Sequence, residues 1–431
     1  MATITYVYAR EILDSRGIPT IECSIWLDTN QMVTSSVPSG TSKGKYEALE
    51  LRDKDPSHMN GLGVLKAVEN INTVIGPQLI GQDPTKQAQL DQFLIQLDGT
   101  PNKSRLGANA CIAVSQTLLK AGAASLGLGL YNYIFQSYRL ITEMTMPAMV
   151  YTMISGGEHG AGNLDIQEYE VIPATFHSYN ESLNMAVVYS QKLSEVLISK
   201  GAVHSVGLVG GYAPNLYNNS DTFEILVETA KATPFMFAQD FFLGVDVSAA
   251  SFYEGGKYIL KDKPQPYNSN ELLEYYRQMK EKYHVVYIED PFQEDDTDSW
   301  KKITEELGET TAIVGDDLLA TNKERVQIAI KEKLCNAVLI KPNQIGTITE
   351  TIEVIQMARA ANWQVVVSHR SGETTDSLIA DLAVGVGADY AKFGPPNRGE
   401  RTVKLNRLLQ IYAELASQAA NSATPANVQL Q

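Results

Sequence analysis

Residues 284–290 read HVVYIED, a short apolar run that closes on two carboxylates. The pattern recurs. FFLGVD ends at Asp246, TAIVGDD holds Asp316, NAVLIK ends at Lys341, WQVVVSH at His369, and DYAKF surrounds Lys392. From Glu289 onward these polar endings follow one another at roughly 25-residue intervals, the length of a strand, a loop and a helix. Helical patterns fill the gaps at Lys323–Lys333, Ile348–Ala361 and Asp376–Val386. Apolar strands alternating with helices predict a closed parallel α/β barrel, whose active site lies at the C-terminal ends of the strands. The ionisable endings accumulate there.

Upstream the rhythm differs. ITYVYARE, IECSIWLDT and MVTSSV read as short strands, with DSRGIP as the turn between the first two. Val64, Val68, Ile71 and Ile75 recur at helical spacing until Gly76–Pro77, which is expected to stop the helix. A second, alanine-rich helix from about Gly107 to Leu126 reads as buried. The expected organisation is a small α+β domain over 1–135, a linker over 136–145, the barrel over 146–416 and a disordered tail over 417–431.

With 50 acidic and 35 basic residues the chain carries a formal charge of −15, which argues against nucleic acid or an anionic membrane as partner. Cys23, Cys111 and Cys335 are odd in number and far apart, so neither a disulfide framework nor a cysteine zinc site is expected. The N-terminus lacks a signal-peptide pattern and no apolar run is long enough to span a membrane, which predicts a cytoplasmic setting.

Asp246, Glu289 and Asp316 would share one barrel mouth, which three carboxylates tolerate only around a cation. Oxygen ligands favour Mg²⁺, with Mn²⁺ second. For any one of the three an ordinary loop acid is the simpler reading; three at successive strand ends favour the metal. Lys341 is either a counter-ion or, with its pKa lowered, a base. Arg370 and Ser371 offer an anion fork and a hydroxyl, Lys392 another cation, and His369 an imidazole. His159, Gln167 and Glu168 come from SGGEHGAGN and DIQE, and PSGTSKG at 38–44 reads as a lid. Cations and hydroxyls around a metal describe a site for a small phosphorylated carboxylic acid.

AREILDSRG, YEALELRD, LDGTPNKSRLGANA, GGEH, DIQE, APN, IEDPFQEDD, VGDDLLATN, LIKPNQIGT, SHRSGET and IADLAVG resemble the enolase family nearly from end to end. The resemblance implies an α+β domain ahead of an eight-stranded barrel whose first connections depart from strict alternation. It also implies dehydration of 2-phosphoglycerate to phosphoenolpyruvate, in glycolysis, with two Mg²⁺ ions, by an assembly of at least two copies; surface association is reported for such proteins. Carried over, Asp246, Glu289 and Asp316 hold the first metal, and Ser39 on the lid contacts the second. Lys341 takes the C2 proton, and Lys392 stabilises the doubly negative intermediate. Arg370 and Ser371 grip the phosphate, His159 and Gln167 line the site, and His369 stays near the reacting end.

One loop breaks the pattern. Where the family reads Gly-Asp-Glu-Gly-Gly, this chain reads Gly207-Leu208-Val209-Gly210-Gly211. Val209 stands at the place of the general acid and cannot donate a proton. Glu168, the usual partner of that acid, remains as a substitute donor through water. Lys43 in the lid, Ile18 in the first turn, and Phe393, Pro395, Asn397 and Gly399 after the last strand also depart from the family's pattern. Lys43 would bring charge towards the second metal and weaken or replace it. The implied reading is strongly impaired dehydration, with a half-reaction limited to C2 proton abstraction, or a non-catalytic ligand-binding role, as the alternatives.

Overall fold

A computed structural model describes residues 2–41 and 44–423. Strands β1 (Ile4–Leu13), β2 (Pro19–Leu27) and β3 (Met32–Ser36) form an antiparallel sheet in that order. The turn after β1 is fixed by Asp14, whose carboxylate accepts from the amides of Arg16 at 2.8 Å and Ile18 at 3.0 Å. Alternation puts Ile21, Cys23 and Ile25 of β2 into the core, where α4 (Ala108–Ser125) covers them. Small side chains let α4 bury nearly its whole surface.

The helix expected to stop at Gly76–Pro77 does not stop there. It runs as α1 (Leu65–Glu69), a wide π turn (Asn70–Ile75) and α2 (Gly76–Leu79). The wide turn takes up the register ahead of Pro77, which has no N–H to donate. Asn72 anchors the turn to β1, exchanging hydrogen bonds with the amide and carbonyl of Ala9 at 2.7 and 2.9 Å. Helices α3 (Gln87–Asp98) and α5 (Leu130–Tyr138) complete this part.

The barrel begins with β4 (Ala148–Ser155) and β5 (Glu168–Pro173), followed by α6 (Tyr179–Ser199), α7 (Asn219–Lys231) and β6 (Phe241–Asp246). A small hairpin, β7 (Tyr253–Glu254) and β8 (Lys257–Tyr258), precedes α8 (Ser269–Tyr283). Then strands and helices alternate: β9 (Val285–Glu289), α9 (Thr297–Leu307), β10 (Ala312–Gly315), α10 (Lys323–Glu332), β11 (Ala337–Ile340). After the short α11 (Pro342–Ile345) come α12 (Ile348–Ala360), β12 (Gln364–Ser368), α13 (Leu378–Gly385), β13 (Tyr390–Lys392) and α14 (Gly399–Ala423). The strands close in the order β4-β5-β6-β9-β10-β11-β12-β13. The barrel is not wholly parallel: β5 runs antiparallel to both β4 and β6. Its first residue, Glu168, therefore sits level with the last residues of its neighbours, Ser155 and Asp246. Val150, Ile172, Tyr287, Val314, Leu339 and Val366 pack the interior, so the polar strand ends sit above a closed apolar floor.

The expected disorder from residue 417 is also corrected. Helix α14 continues to Ala423, because alanine-rich sequence low in large apolar groups still has high helix propensity; residues 424–431 lie outside those described. The sheet domain is pinned to the barrel where Asp376 accepts from Lys120 at 2.7 Å, the Ser35 hydroxyl at 2.6 Å and the Ser36 amide at 2.9 Å. Among the described residues no single helix is long and apolar enough to cross a membrane.

Candidate active site at the barrel mouth

The strand ends converge. Register places Asp246 beside Glu289, Glu168 beside Asp246, and Lys392 beside Ser368. One cavity is lined by Asp246, Glu289, Asp316, Lys341 and Lys392 together with His159, Gln167, Glu168, His369, Arg370 and Ser371. All of these predicted side chains meet at the mouth. Ser39 does not line it: its hydroxyl donates to Glu50 at 3.1 Å, while its backbone pairs with Gly372. Thr41 and Gly40 represent the lid in the lining, and Lys43 lies outside the described residues.

Lysines neutralise the acids. The Lys392 ammonium lies 2.8 Å from Glu289, 3.2 Å from Asp246, 3.3 Å from Glu168 and 3.1 Å from Glu170. Burial would lower its pKa, but this ring of carboxylates raises it well above the ordinary lysine value. Lys341 bonds Asp316. Burial would lower the Lys341 pKa, as the base reading expects, but Asp316 and Glu289 together raise it above the ordinary lysine value. Burial and Asp246 together lift Glu289 well above the carboxylate range.

The donor set fits a hard divalent cation. Asp246 Oδ1 and Glu289 Oε1 are buried without a hydrogen-bond partner, and oxygens of this type are what such an ion recruits. A second group, Asp290, Asp316 and Asp317, has ligand atoms within 4.8 Å of one another. Asp290 is a brace there, since its oxygens accept from the amides of Asp316 at 3.0 Å and Asp317 at 2.8 Å. Gln167 donates to Asp246 Oδ2 at 3.1 Å and orients it.

Two partners decide the proton inventory. Glu168 accepts from Thr152 at 2.8 Å and bonds His159 Nδ1 at 2.8 Å. Burial would raise its pKa, yet Lys392 and His159 hold it well below the usual carboxylate range, so Glu168 is ionised and carries no proton to give. His369 is neutral, its pKa depressed first by burial and then by Arg401. Arg401 Nη1 lies 2.9 Å from His369 Nδ1 and can only donate, which places the imidazole hydrogen on Nε2.

Arg401 was not legible in the sequence. It comes from α14, is wholly buried, and also donates to the carbonyls of Arg370 and Ser371. Glu47 was missed as well: it takes Arg370 in a two-pronged pair, both contacts 3.1 Å. Neither has a local signal, since one lies on a helix face and the other far upstream.

The 203–215 loop packs onto the mouth through its glycines. A Cβ on Gly207 would sit 2.3 Å from the His159 carbonyl, and one on Gly211 2.7 Å from Ser155 Oγ. The Leu208 amide donates to the His159 carbonyl at 2.9 Å, and Asn397 donates to the Gly210 carbonyl at 3.1 Å. Val209 is wholly buried and is not among the cavity-lining residues; its carbonyl borders Gly394, which also borders His369. Residues 203–215 themselves contain no Asp or Glu.

Residues 4–134 match the family model "Enolase, N-terminal domain" and residues 143–428 match "Enolase, C-terminal TIM barrel domain". Over 413 residues the chain is 44% identical to a protein named Enolase from Ehrlichia canis (strain Jake), covering 96% of this chain and 97% of the relative. The barrel with its reversed second strand, the strand-end acids and lysines, and these two matches place the chain in the enolase family.

Proposed function

We propose that this chain binds Mg²⁺ and 2-phosphoglycerate or phosphoenolpyruvate, and that it removes the C2 proton of 2-phosphoglycerate far more readily than it expels the 3-hydroxyl. This reading is supported by the base, cation ligands and anion grip gathered at the strand ends, together with the valine that the sequence sets at position 209, where the family pattern has its general acid. Asp246, Glu289 and Asp316 would hold the ion, which when bound supplies positive charge for the substrate's carboxylate. Ser39 is engaged by Glu50, so a second ion would require the lid to rearrange.

Lys341 leaves Asp316, releases its ammonium proton to water and, as the free amine, takes the proton from C2 at Nζ. The C–H electron pair passes into the C1 carboxylate, and Lys392 offsets the added charge. Arg370 and Ser371 hold the phosphate, His159 and Gln167 line the pocket, and neutral His369 offers its Nε2–H at the reacting end. The pair then returns to form the C2–C3 double bond as the C3–O bond breaks. With Val209 apolar and Glu168 ionised, that oxygen departs unprotonated. A general acid typically contributes about 10²–10⁴-fold, and dehydration is slowed by that order.

By family the chain acts in glycolysis in the cytoplasm, as a homodimer or larger homo-oligomer, with surface association as a further setting. Proton NMR in D₂O with saturating Mg²⁺ tests the reading. Loss of the C2 proton signal that outpaces phosphoenolpyruvate formation is the expected result. Rapid dehydration would restore an ordinary enolase, and binding without exchange would leave a ligand-binding protein.

A further inference from the structure

Glu170 lies on β5 two residues from Glu168, on the same face of the strand and thus inside the barrel, with no exposed surface. It is not among the residues lining the cavity. Across the ladder it faces Gly244, and glycine leaves it room: a Cβ there would lie 2.9 Å from Glu170 Oε2. Neither carboxyl oxygen has a hydrogen bond, and its partner is the Lys392 ammonium at 3.1 Å.

Lys392 is divided between two pairs of carboxyls. Asp246 and Glu289, on β6 and β9, are the residues read above as cation ligands; Glu168 and Glu170 both belong to β5. An ammonium bonded to both ligand carboxylates repels a divalent ion and occupies oxygens the ion needs. The ion and Lys392 can coexist only where the lysine has other anionic partners.

We propose that Glu170 is a positioning residue for the cation site, holding the Lys392 ammonium against β5 so that Asp246 and Glu289 are left to a divalent ion. This inference rests on the cation reading of the mouth but not on any turnover. The arrangement costs stability, because Glu170 is wholly buried and has the Lys392 ammonium as its only compensation. Lys392 keeps Glu168, Asp246 and Glu289 as partners, so replacing Glu170 by an apolar group of similar size leaves no charge unpaired and thins a crowd of four carboxyls. Glu170→Leu should therefore move stability and ion affinity in opposite directions, which a purely structural residue would not do.

The test uses the full chain and the metal alone. Mg²⁺ binding is measured by calorimetry, and Mn²⁺ binding by electron paramagnetic resonance. Loss of a residue that supports metal ligands typically costs about 10–100-fold in affinity, and Glu170→Leu is expected near the lower figure with an equal or higher Tm. Glu170→Gln, whose amide oxygen keeps a polar contact with Lys392, should recover most of the affinity. Equal or tighter binding by Glu170→Leu overturns the proposal. So does a lowered Tm or failure to fold in both variants, which would make Glu170 a residue of the fold. If Glu170→Leu alone fails to fold, Glu170→Gln must bind Mg²⁺ measurably more weakly than the wild type, or the proposal falls. A wild-type chain that takes up neither ion removes the cation site itself and this inference with it, whereas normal uptake unaffected by Glu170→Leu removes only the inference.

Discussion

The two sides of the mouth are built differently. On one side Asp246, Glu289, Asp316, Lys341 and Lys392 extend from barrel strands, and the ladder sets their spacing. On the other, residues 203–215 hang on a few backbone bonds, from Leu208 to His159, Tyr212 to Met153 and Ser155 to Tyr212. Moving a strand-end residue disturbs its neighbours through the register. Exchanging a loop side chain disturbs little as long as the glycines keep their close approach. The proposed reading gives proton removal to the rigid half and proton delivery to the loop half, where Val209 is buried and the barrel is intact.

The comparison breaks first at the base. Lys341→Ala should lower C2 proton exchange by at least about 10³-fold, towards the upper end of what general base catalysis supplies. Its fold should survive, which circular dichroism would check. Exchange that persists would mean the strand-end half is not the proton-removing half. Leu208→Asp combined with Val209→Glu then sharpens the contrast. If the loop frame still delivers a side chain to the leaving oxygen, dehydration read by ultraviolet absorbance rises by about 10²-fold. Little gain would locate the fault elsewhere, with Pro395 and Asn397 packed on Gly210 as the nearest other departures.

The strand-end half was also the legible half. Short apolar runs closing on Asp246, Glu289, Asp316, Lys341, His369 and Lys392 disclosed the strands and their common end, because buried strands need apolar residues and a mouth tolerates charge. The reversed direction of β5 left no mark in its own residues, and the resemblance implied only that the first connections depart from strict alternation. Lys341 was read as either a counter-ion or a base of lowered pKa; against burial, Asp316 and Glu289 from other strands raise its pKa. Glu47, Arg401 and Glu170 matter through Arg370, His369 and Lys392, partners far from them in sequence. Pairings between distant segments are not periodic, so no local pattern announces them. The same limit misplaced a helix end at Pro77, where Asn72 and Ala9 hold a wide turn across elements.

The covering half depends on a joint. Lys120 and Asp376 tie the domain that carries the lid to the barrel, and the pair is partly buried, with side-chain exposures of 21% and 9%. Lys120→Met should cost about 2 kcal/mol, between an exposed pair and a fully buried one, or roughly 30-fold in the folding equilibrium. Burial would raise the Asp376 pKa, but Lys120 and the Ser35 hydroxyl lower it below 3.8. A group lowered in the folded state binds its proton more readily when unfolded. Its stabilisation is therefore complete above the unfolded value and is lost as pH falls through the folded one. Urea melts at pH 7 should show the full gap between wild type and variant, and melts near pH 3 a smaller one. A gap that grows in acid would contradict the assignment.

The smallest effect is expected where the lid touches the phosphate grip. The Thr41 amide donates to Ser371 Oγ at 2.9 Å, and the two hydroxyls lie 2.7 Å apart. The amide occupies one acceptor position of Ser371 and leaves its hydrogen to be claimed either by Thr41 or by a ligand. Thr41→Val keeps the amide bond and removes the competing hydroxyl, freeing the Ser371 hydrogen for phosphate. One net hydrogen bond is worth about 0.5–1.5 kcal/mol, so phosphoenolpyruvate should bind about two- to tenfold more tightly in calorimetry. Weaker binding would reverse the reading of this contact, making the hydroxyl pair a clasp that holds the lid over its ligand. The covering half would then contribute grip as well as shape, and the division between the two sides of the mouth would narrow to the single missing proton donor.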